Sequence, residues 1–302
     1  MANAQHIPVL LDEVLEFLAI KPGGNYLDCT FGRGGHARAI LGQLGPQGRL
    51  WATDRDPAAA EAGRLLVDPR FHFRHVRFSR AASVIEEVGL AGKLDGVLLD
   101  FGVSSPQLDD HGRGFSFQAE GPLDMRMDTS CGESAADWLA SASQADIERC
   151  LFEFGEERHA RRIARRICTE RSRAPLQTTT QLAALVAGAV PRSGERIHPA
   201  TRTFQALRIR VNDELQEIAS ALPALAHVLA TGGRLCAISF HSLEDRIVKR
   251  YFRDRARQQE DFDASAPRYA VLTRKPVGPS EAECLANPRS RSAHLRVLER
   301  LA

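Results

Sequence analysis

Residues 26–37 read YLDCTFGRGGHA: an apolar approach that ends on Asp28, a glycine cluster at Gly32, Gly34 and Gly35, and a helical pattern that opens at His36 and Ala37. A short buried run, a glycine turn and an amphipathic helix together make a β-to-α junction. Gly32, Gly34 and Ala37 match the G-x-G-x-x-G/A spacing that closes such a junction over a nucleotide. Taken alone, the spacing equally suits a turn that needs positive φ for its own closure.

Outward from this junction the chain alternates short apolar runs with helical stretches. Before it, residues 9–20 have helical spacing and stop at Lys21-Pro22-Gly23-Gly24. After it, strands are expected at residues 49–54, 71–76 and 94–100, and helices at 34–44, 57–66 and 79–88. A β-α-β-α-β-α-β order predicts an α/β fold with a parallel, doubly wound sheet. The next convincing buried strand is residues 234–240 (RLCAISF), after the turn Thr231-Gly232-Gly233. A parallel crossover needs only about a dozen residues, so most of the interval is an insertion. Its patterns at residues 151–169, 180–190 and 201–222 are helical, the last with a stripe at Phe204, Leu207, Val211, Leu215, Ile218 and Leu222. The expected organisation is a sheet domain from residues 1–112 and 208–302 with a small α-helical domain inserted at 113–207. A helix over 242–255, a polar loop over 255–267 and a closing strand over 294–300 complete it.

Composition bounds the function. The 302 residues are 43% hydrophobic and 26% charged, with a formal charge of +2. No run approaches the roughly 18–20 apolar residues of a membrane span, and the first residues lack the build of a signal peptide, so a cytoplasmic protein is expected. The six cysteines are scattered without metal-ligand spacing, which predicts reduced core thiols and no metal site. Lys21, Lys93, Lys249 and Lys275 are the only lysines among 40 Lys plus Arg. Arginine forks suit phosphates and bases.

Three carboxylates close the candidate cofactor site. Asp54, at the end of the second strand, stands where ribose hydroxyls are bound. Asp28 would repel a pyrophosphate at the helix N-terminus but suits a ligand with an ammonium or sulfonium. That favours S-adenosylmethionine over NAD. Asp100 ends the fourth strand, on the edge where open α/β sheets collect ligands. A loop of small residues follows it, from Phe101 through Ser104, Ser105 and Gln107. Phe78 is placed either to pack on an adenine or to fill the core.

These stretches, with HIPVLLDEVL from His6, TDRDP from Thr53, DGVLLDFGVSSPQLDDHGRGFSF from Asp95, GPLDMRMD from Gly121, GEERHARRIA from Gly155, HPATRTFQALRIRVNDEL from His198, ISFHSLEDRIVKRYF from Ile238 and NPRSRSAHLRVLER near the C-terminus, resemble the bacterial 16S ribosomal RNA (cytosine-N4) methyltransferase family, MraW/RsmH. The resemblance runs over essentially the whole chain. It implies a Rossmann-like class I methyltransferase sheet. It also implies methylation of the exocyclic N4 of a cytidine in the decoding region of small-subunit RNA, with S-adenosylmethionine bound at the positions matching Gly34, Gly35, His36, Asp54, Phe78, Asp100 and Gln107. Two positions depart from the family pattern: Cys29 stands where Gly is expected and Phe101 where Leu is expected. Neither carries polar chemistry, so both changes are expected to be tolerated.

Methylating an exocyclic amine is an in-line displacement that needs alignment and an acceptor for the departing proton. Asp100 and the Ser104-Ser105 loop are the candidate acceptors. His241, after the fifth strand, is a candidate contact to base or phosphate, with a solvated helix-start histidine as the alternative. Ser242 and Asp245 read as a capping-box variant. The target base would have to be unstacked to react. For RNA, contacts are expected from at least one of two groups: seven arginines between Gly155 and Arg173, whose alternative is a solvated helix face complementing the helix dipole, and His198, Arg202, Arg208 and Arg210. The expected partner is the small ribosomal subunit, and a homodimer is compatible with the sequence. An NAD-dependent dehydrogenase and a non-catalytic RNA-binding protein are the rival readings; the first lacks a second mononucleotide-binding half, and the second does not need Asp28, Asp54 and Asp100 together.

Overall fold

The computed structural model describes residues 8–191, 198–257 and 267–301. Elements run in the order α1 (Leu11–Leu18), β1 (Asn25–Asp28), α2 (Gly35–Gln43), β2 (Arg49–Asp54), α3 (Pro57–Arg64), β3 (Phe71–His75), α4 (Ala81–Glu87), β4 (Leu94–Asp100) and α5 (Ser105–Asp109). Then follow α6 (Ala135–Ser141), α7 (Gln144–Gly155), α8 (Ala160–Arg171), α9 (Thr179–Ala189), α10 (Thr201–Asn212) and α11 (Glu214–His227). The chain closes with β5 (Leu229–Ser239), α12 (Ser242–Arg257), β6 (Tyr269–Val271), α13 (Glu281–Ala286) and β7 (His294–Arg300).

Two compact bodies result: Met1–Gly102 with Leu215–Ala302, and Val103–Glu214. The first holds a seven-stranded sheet of order β3-β2-β1-β4-β5-β7-β6, with β1 to β5 parallel and β7 antiparallel to both β5 and β6. Strict alternation feeds two apolar layers. Val97, Leu99, Leu235 and Ala237 join one face with Ile85, Leu222 and Phe252; Leu98, Cys236 and Ile238 join the other with Val14, Ile40 and Leu41. Both faces are therefore covered by helices, as a parallel sheet requires. No helix among the described residues is long and apolar enough to cross a membrane.

The second body is built on helices. Its core gathers Trp138, Leu151, Ile163, Ile167, Leu182, Val186, Phe204 and Leu207 from α6 to α10. Asn212 ties an incoming loop to this core, accepting from the Met127 N–H at 2.8 Å and donating to the Met125 carbonyl at 2.7 Å.

Several local expectations are corrected. The stripe read as one helix over 201–222 is broken at Asp213, which takes φ 51°. The α10 half turns Phe204 and Leu207 into the helical core, and the α11 half turns Ile218 and Leu222 into the sheet's core. The break at Asp213 falls at the C-terminal boundary of the helical body, Val103–Glu214, against the expected span of 113–207. Likewise Glu156, at φ 48°, separates α7 from α8 within the run 151–169. The Thr231-Gly232-Gly233 turn is an irregularity inside β5: pairing passes from Leu94↔Leu229 to Gly96↔Arg234, with Gly232 at φ 75°. Of the cysteines, Cys29, Cys150 and Cys236 are buried but Cys131 is exposed; its thiol faces Asp128 at 3.3 Å, so it is no core residue. The polar loop expected over 255–267 starts later, because α12 continues to Arg257; residues 258–266 lie outside the described residues.

Candidate functional site

The carboxyl ends of β1, β2 and β4 each finish on an aspartate. Adjacent parallel strands end at one edge, so topology brings Asp28, Asp54 and Asp100 to the same rim of the first body. Asp28 is buried and its Oδ1 accepts from the Thr30 N–H at 3.0 Å. Burial pushes its carboxyl up to about 7; Thr30 hydrogen bonds oppose this and Asp54 adds to it. Asp54 is likewise raised by burial, against hydrogen bonds from the backbone of Asp56 and Gly32. Its oxygens accept from the Gly32 N–H at 2.8 Å and the Asp56 N–H at 2.9 Å. A third backbone hydrogen bond, from Arg55, also reaches this carboxylate; of its roughly four acceptor sites, one is left for a hydroxyl.

Asp100 is the most perturbed of the three. Burial, then Asp28, then Glu244 raise its carboxyl to about 8. Its side chain is 26% exposed, yet Oδ1 is buried without a hydrogen-bond partner. Such an orphaned acceptor is costly unless a ligand or proton meets it. Its backbone N–H donates to the Thr30 hydroxyl at 2.8 Å.

Across the glycine turn, Gly32 and Gly34 take φ 55° and 77°. The two serve different ends. A Cβ on Gly34 would meet the Phe31 ring and the Arg38 guanidinium at 2.7 Å, whereas one on Gly32 would meet nothing within 4 Å. Gly34 is thus required by packing, and Gly32 borders open space beside Asp54. Gly35 lets the chain pass Pro8, whose Cγ would lie 2.4 Å from an added Cβ. His36 is buried in α2: its Nε2 bonds the Val9 carbonyl at 3.0 Å and its Nδ1 stands 3.9 Å from Asp100 Oδ2. The Val9 carbonyl can only accept, so Nε2 carries the hydrogen of that bond and Nδ1 is the ring nitrogen turned toward Asp100. Phe78 opens a 3-10 turn after β3 and packs on Phe101, ring centroids 5.9 Å apart.

His241 lies at the carboxyl end of β5, next to β4 in the sheet. It is no solvated histidine, with a side chain 12% exposed and Nε2 3.2 Å from Glu244 Oε1. Glu244 is fully buried, and its Oε2 accepts from the N–H groups of Phe240 at 2.8 Å and His241 at 3.3 Å. The Asp245 side chain, expected as a cap, forks onto Arg296 at 2.6 and 3.0 Å.

Thr30 and Glu244 escaped the sequence reading. Thr30 looks like any strand-to-turn threonine, and Glu244 looks like one of two acidic residues in a helix's first turn; only the meeting of β1, β4 and β5 makes them neighbours of Asp100.

In the second body, Ser104, Ser105 and Gln107 form the start of α5. Ser104 and Gln107 make a reciprocal capping box in which the Ser104 N–H donates to Gln107 Oε1 at 2.8 Å. On α8, Ala160, Ile163, Ala164 and Ile167 are buried, while Arg161, Arg162, Arg165 and Arg166 point to solvent. Arg158 and Arg173 are exposed too, but Arg171 is committed to the Leu139 carbonyl. The second basic group is largely committed: Arg208 pairs with Glu214 at 2.7 and 2.8 Å, Arg210 lies over the Trp138 ring at 5.3 Å, and His198 packs against Phe117.

The chain has the Rossmann-like sheet of the methyltransferases that use S-adenosylmethionine as methyl donor, with three aspartates gathered on one edge of it. The family model described as "MraW methylase family" matches residues 3–301, and the chain belongs to that family. It is 55% identical over 306 residues to "Ribosomal RNA small subunit methyltransferase H" of Thioalkalivibrio sulfidiphilus, covering 98% of each chain. A relative of the same name from Methylococcus capsulatus is 54% identical over 301 residues, covering 97% of this chain and 100% of that one.

Proposed function

We propose that the protein methylates the exocyclic N4 of a cytidine in the decoding region of small-subunit ribosomal RNA, acting in the cytoplasm on the small ribosomal subunit. The observation that carries this reading is Asp100: a carboxyl raised to about 8, with one buried oxygen lacking a partner, on the rim shared with Asp28 and Asp54.

When bound, S-adenosylmethionine supplies an electrophilic methyl group on a positively charged sulfur. Asp54 would accept from a ribose hydroxyl, Gly32 would leave room for close approach, Phe78 would offer its ring to the adenine, and Asp28 and Asp100, when ionised, would supply negative charge. The target amine would form its new N–C bond with its lone pair as the methyl–sulfur bond breaks, that bond's electron pair staying on the sulfur as a neutral thioether, and must lose one proton. We assign acceptance of that proton to the Asp100 carboxylate. Its raised pKa makes the ionised form a stronger base than an ordinary carboxylate. The Ser104 hydroxyl is the weaker choice, since it accepts from the helix backbone in its capping box. The arginine face of α8 is assigned to RNA phosphates.

The test is to incubate the purified protein with labelled S-adenosylmethionine and small subunits from a strain lacking the endogenous enzyme, then digest the RNA and identify the nucleoside by mass spectrometry. N4-methylcytidine is the expected product. Donor binding without label transfer to RNA would overturn the substrate assignment.

A further inference from the structure

β3 is the outer strand of the sheet, and its junction with β2 carries side chains that the methyl-donor site does not use. Trp51 on β2 and His72 on β3 are register partners, and their rings stack with centroids 4.4 Å apart at 27°. Residues two apart on a strand share a face, so Arg49 and Arg74 flank this stack. The Arg74 guanidinium lies 6.0 Å from the Trp51 centroid, and both arginines, after burial, hold His72 below its ordinary pKa. A histidine so placed is a neutral flat ring at neutral pH. Arg49 donates to the carbonyls of Pro46 and Gly48, and Arg74 to that of Phe73. Among the described residues no carboxylate pairs with either.

Two guanidiniums without a counter-charge, set around a stacked aromatic pair, make the combination that single-stranded nucleic acid uses: cations for phosphates and π-faces for bases. An acidic peptide would meet the charges but gain nothing from the ring stack. We propose that this edge of the sheet, around Arg49, His72 and Arg74, is an accessory contact for single-stranded RNA, taking phosphates on the arginines and a base against the half-buried His72 ring, which Trp51, itself packed against the sheet's core, backs. The inference rests on the reading that the substrate is ribosomal RNA. It assigns the substrate a contact on the first body, separate from α8.

The test uses the full-length protein, a fluorescein-labelled single-stranded RNA oligonucleotide and a salt series. Arg49→Ala/Arg74→Ala is expected to weaken binding about tenfold and to flatten the salt slope by about 1.4, the value for two phosphates on a single strand. His72→Ala weakens binding several-fold without changing the slope. In methyl transfer to small subunits, KM rises while kcat and S-adenosylmethionine affinity hold. Arg74→Lys, which keeps the charge, retains the slope. If the wild-type protein binds RNA and the double variant binds with unchanged affinity and slope, the accessory contact is overturned while the substrate reading stands. If the wild-type protein neither binds nor methylates RNA, the substrate reading falls first, and this inference with it.

Discussion

The hydroxyl of Thr30 accepts the backbone N–H of Asp100 at 2.8 Å, while the N–H of Thr30 donates to Asp28 Oδ1 at 3.0 Å. One residue between β1 and α2 thus fixes the ends of two strands that each present a carboxylate. Its hydroxyl also lowers the Asp28 pKa against the effect of burial.

Thr30→Val keeps the side-chain shape and removes the hydroxyl, leaving the Asp100 N–H without that acceptor. A cost of roughly 1–3 kcal/mol is expected for an unsatisfied buried donor, measurable by urea denaturation. Donor affinity should fall with it, and Thr30→Ser should restore both. Unchanged affinity and stability in Thr30→Val would remove Thr30 from the site.

The raised carboxyls predict a pH dependence with a definite sign. A cation binds ionised Asp28 and Asp100 better than their neutral forms, so S-adenosylmethionine affinity rises as pH climbs through about 7 and about 8. It should level off above that, and Asp100→Asn should remove the upper part of the rise while lowering kcat by a factor of roughly 100 or more. Calorimetric titrations between pH 6 and 9 check this; a flat wild-type profile argues against both carboxylates facing the cation.

Stability follows the opposite course. The unfolded chain loses these protons near pH 4 and the folded protein only near 7 and 8. Between those limits the folded state binds more protons, so the contribution of these groups to stability falls as pH rises. Asp100→Asn should therefore match the wild-type protein near pH 4 and exceed it in thermal midpoint at pH 9, without ligand.

Gly32 and Gly34 should respond differently to alanine. Both substitutions strain a positive φ, at roughly 1–2 kcal/mol. Gly34→Ala adds contacts at 2.7 Å to Phe31 and Arg38 and should be the more destabilising. Gly32→Ala meets open space, so it should reduce donor affinity more than stability. Thermal midpoints and donor titrations of the two variants, side by side, separate packing from ligand access.

On α8, replacing Arg161, Arg162, Arg165 and Arg166 together with Gln should leave stability within about 1 kcal/mol, since all four point to solvent and exposed ion pairs are weak. RNA affinity and its salt slope should both drop. Retained affinity and slope would mean that these arginines only solvate the helix.

Much of this protein is written in local pattern. Residues 94–100 are buried on both sides, and the run announces a central strand. The glycines of 32–35 announce a β-to-α turn, and Asp28, Asp54 and Asp100 announce a ligand edge because each ends a strand. These signals survive because period-2 and period-3.6 burial are properties of a few consecutive residues. The tertiary structure decided what depends on which segments meet. One apolar stripe over 201–222 serves two cores because Asp213 turns between them. Arg208 is paired rather than free because Glu214 follows that turn. Thr30 and Glu244 gain their relation to Asp100 only when β1 and β5 flank β4. The pKa of Asp100 has the same origin: its burial and its carboxylate neighbours come from residues distant in sequence, and no reading of the chain in order could place those charges beside it.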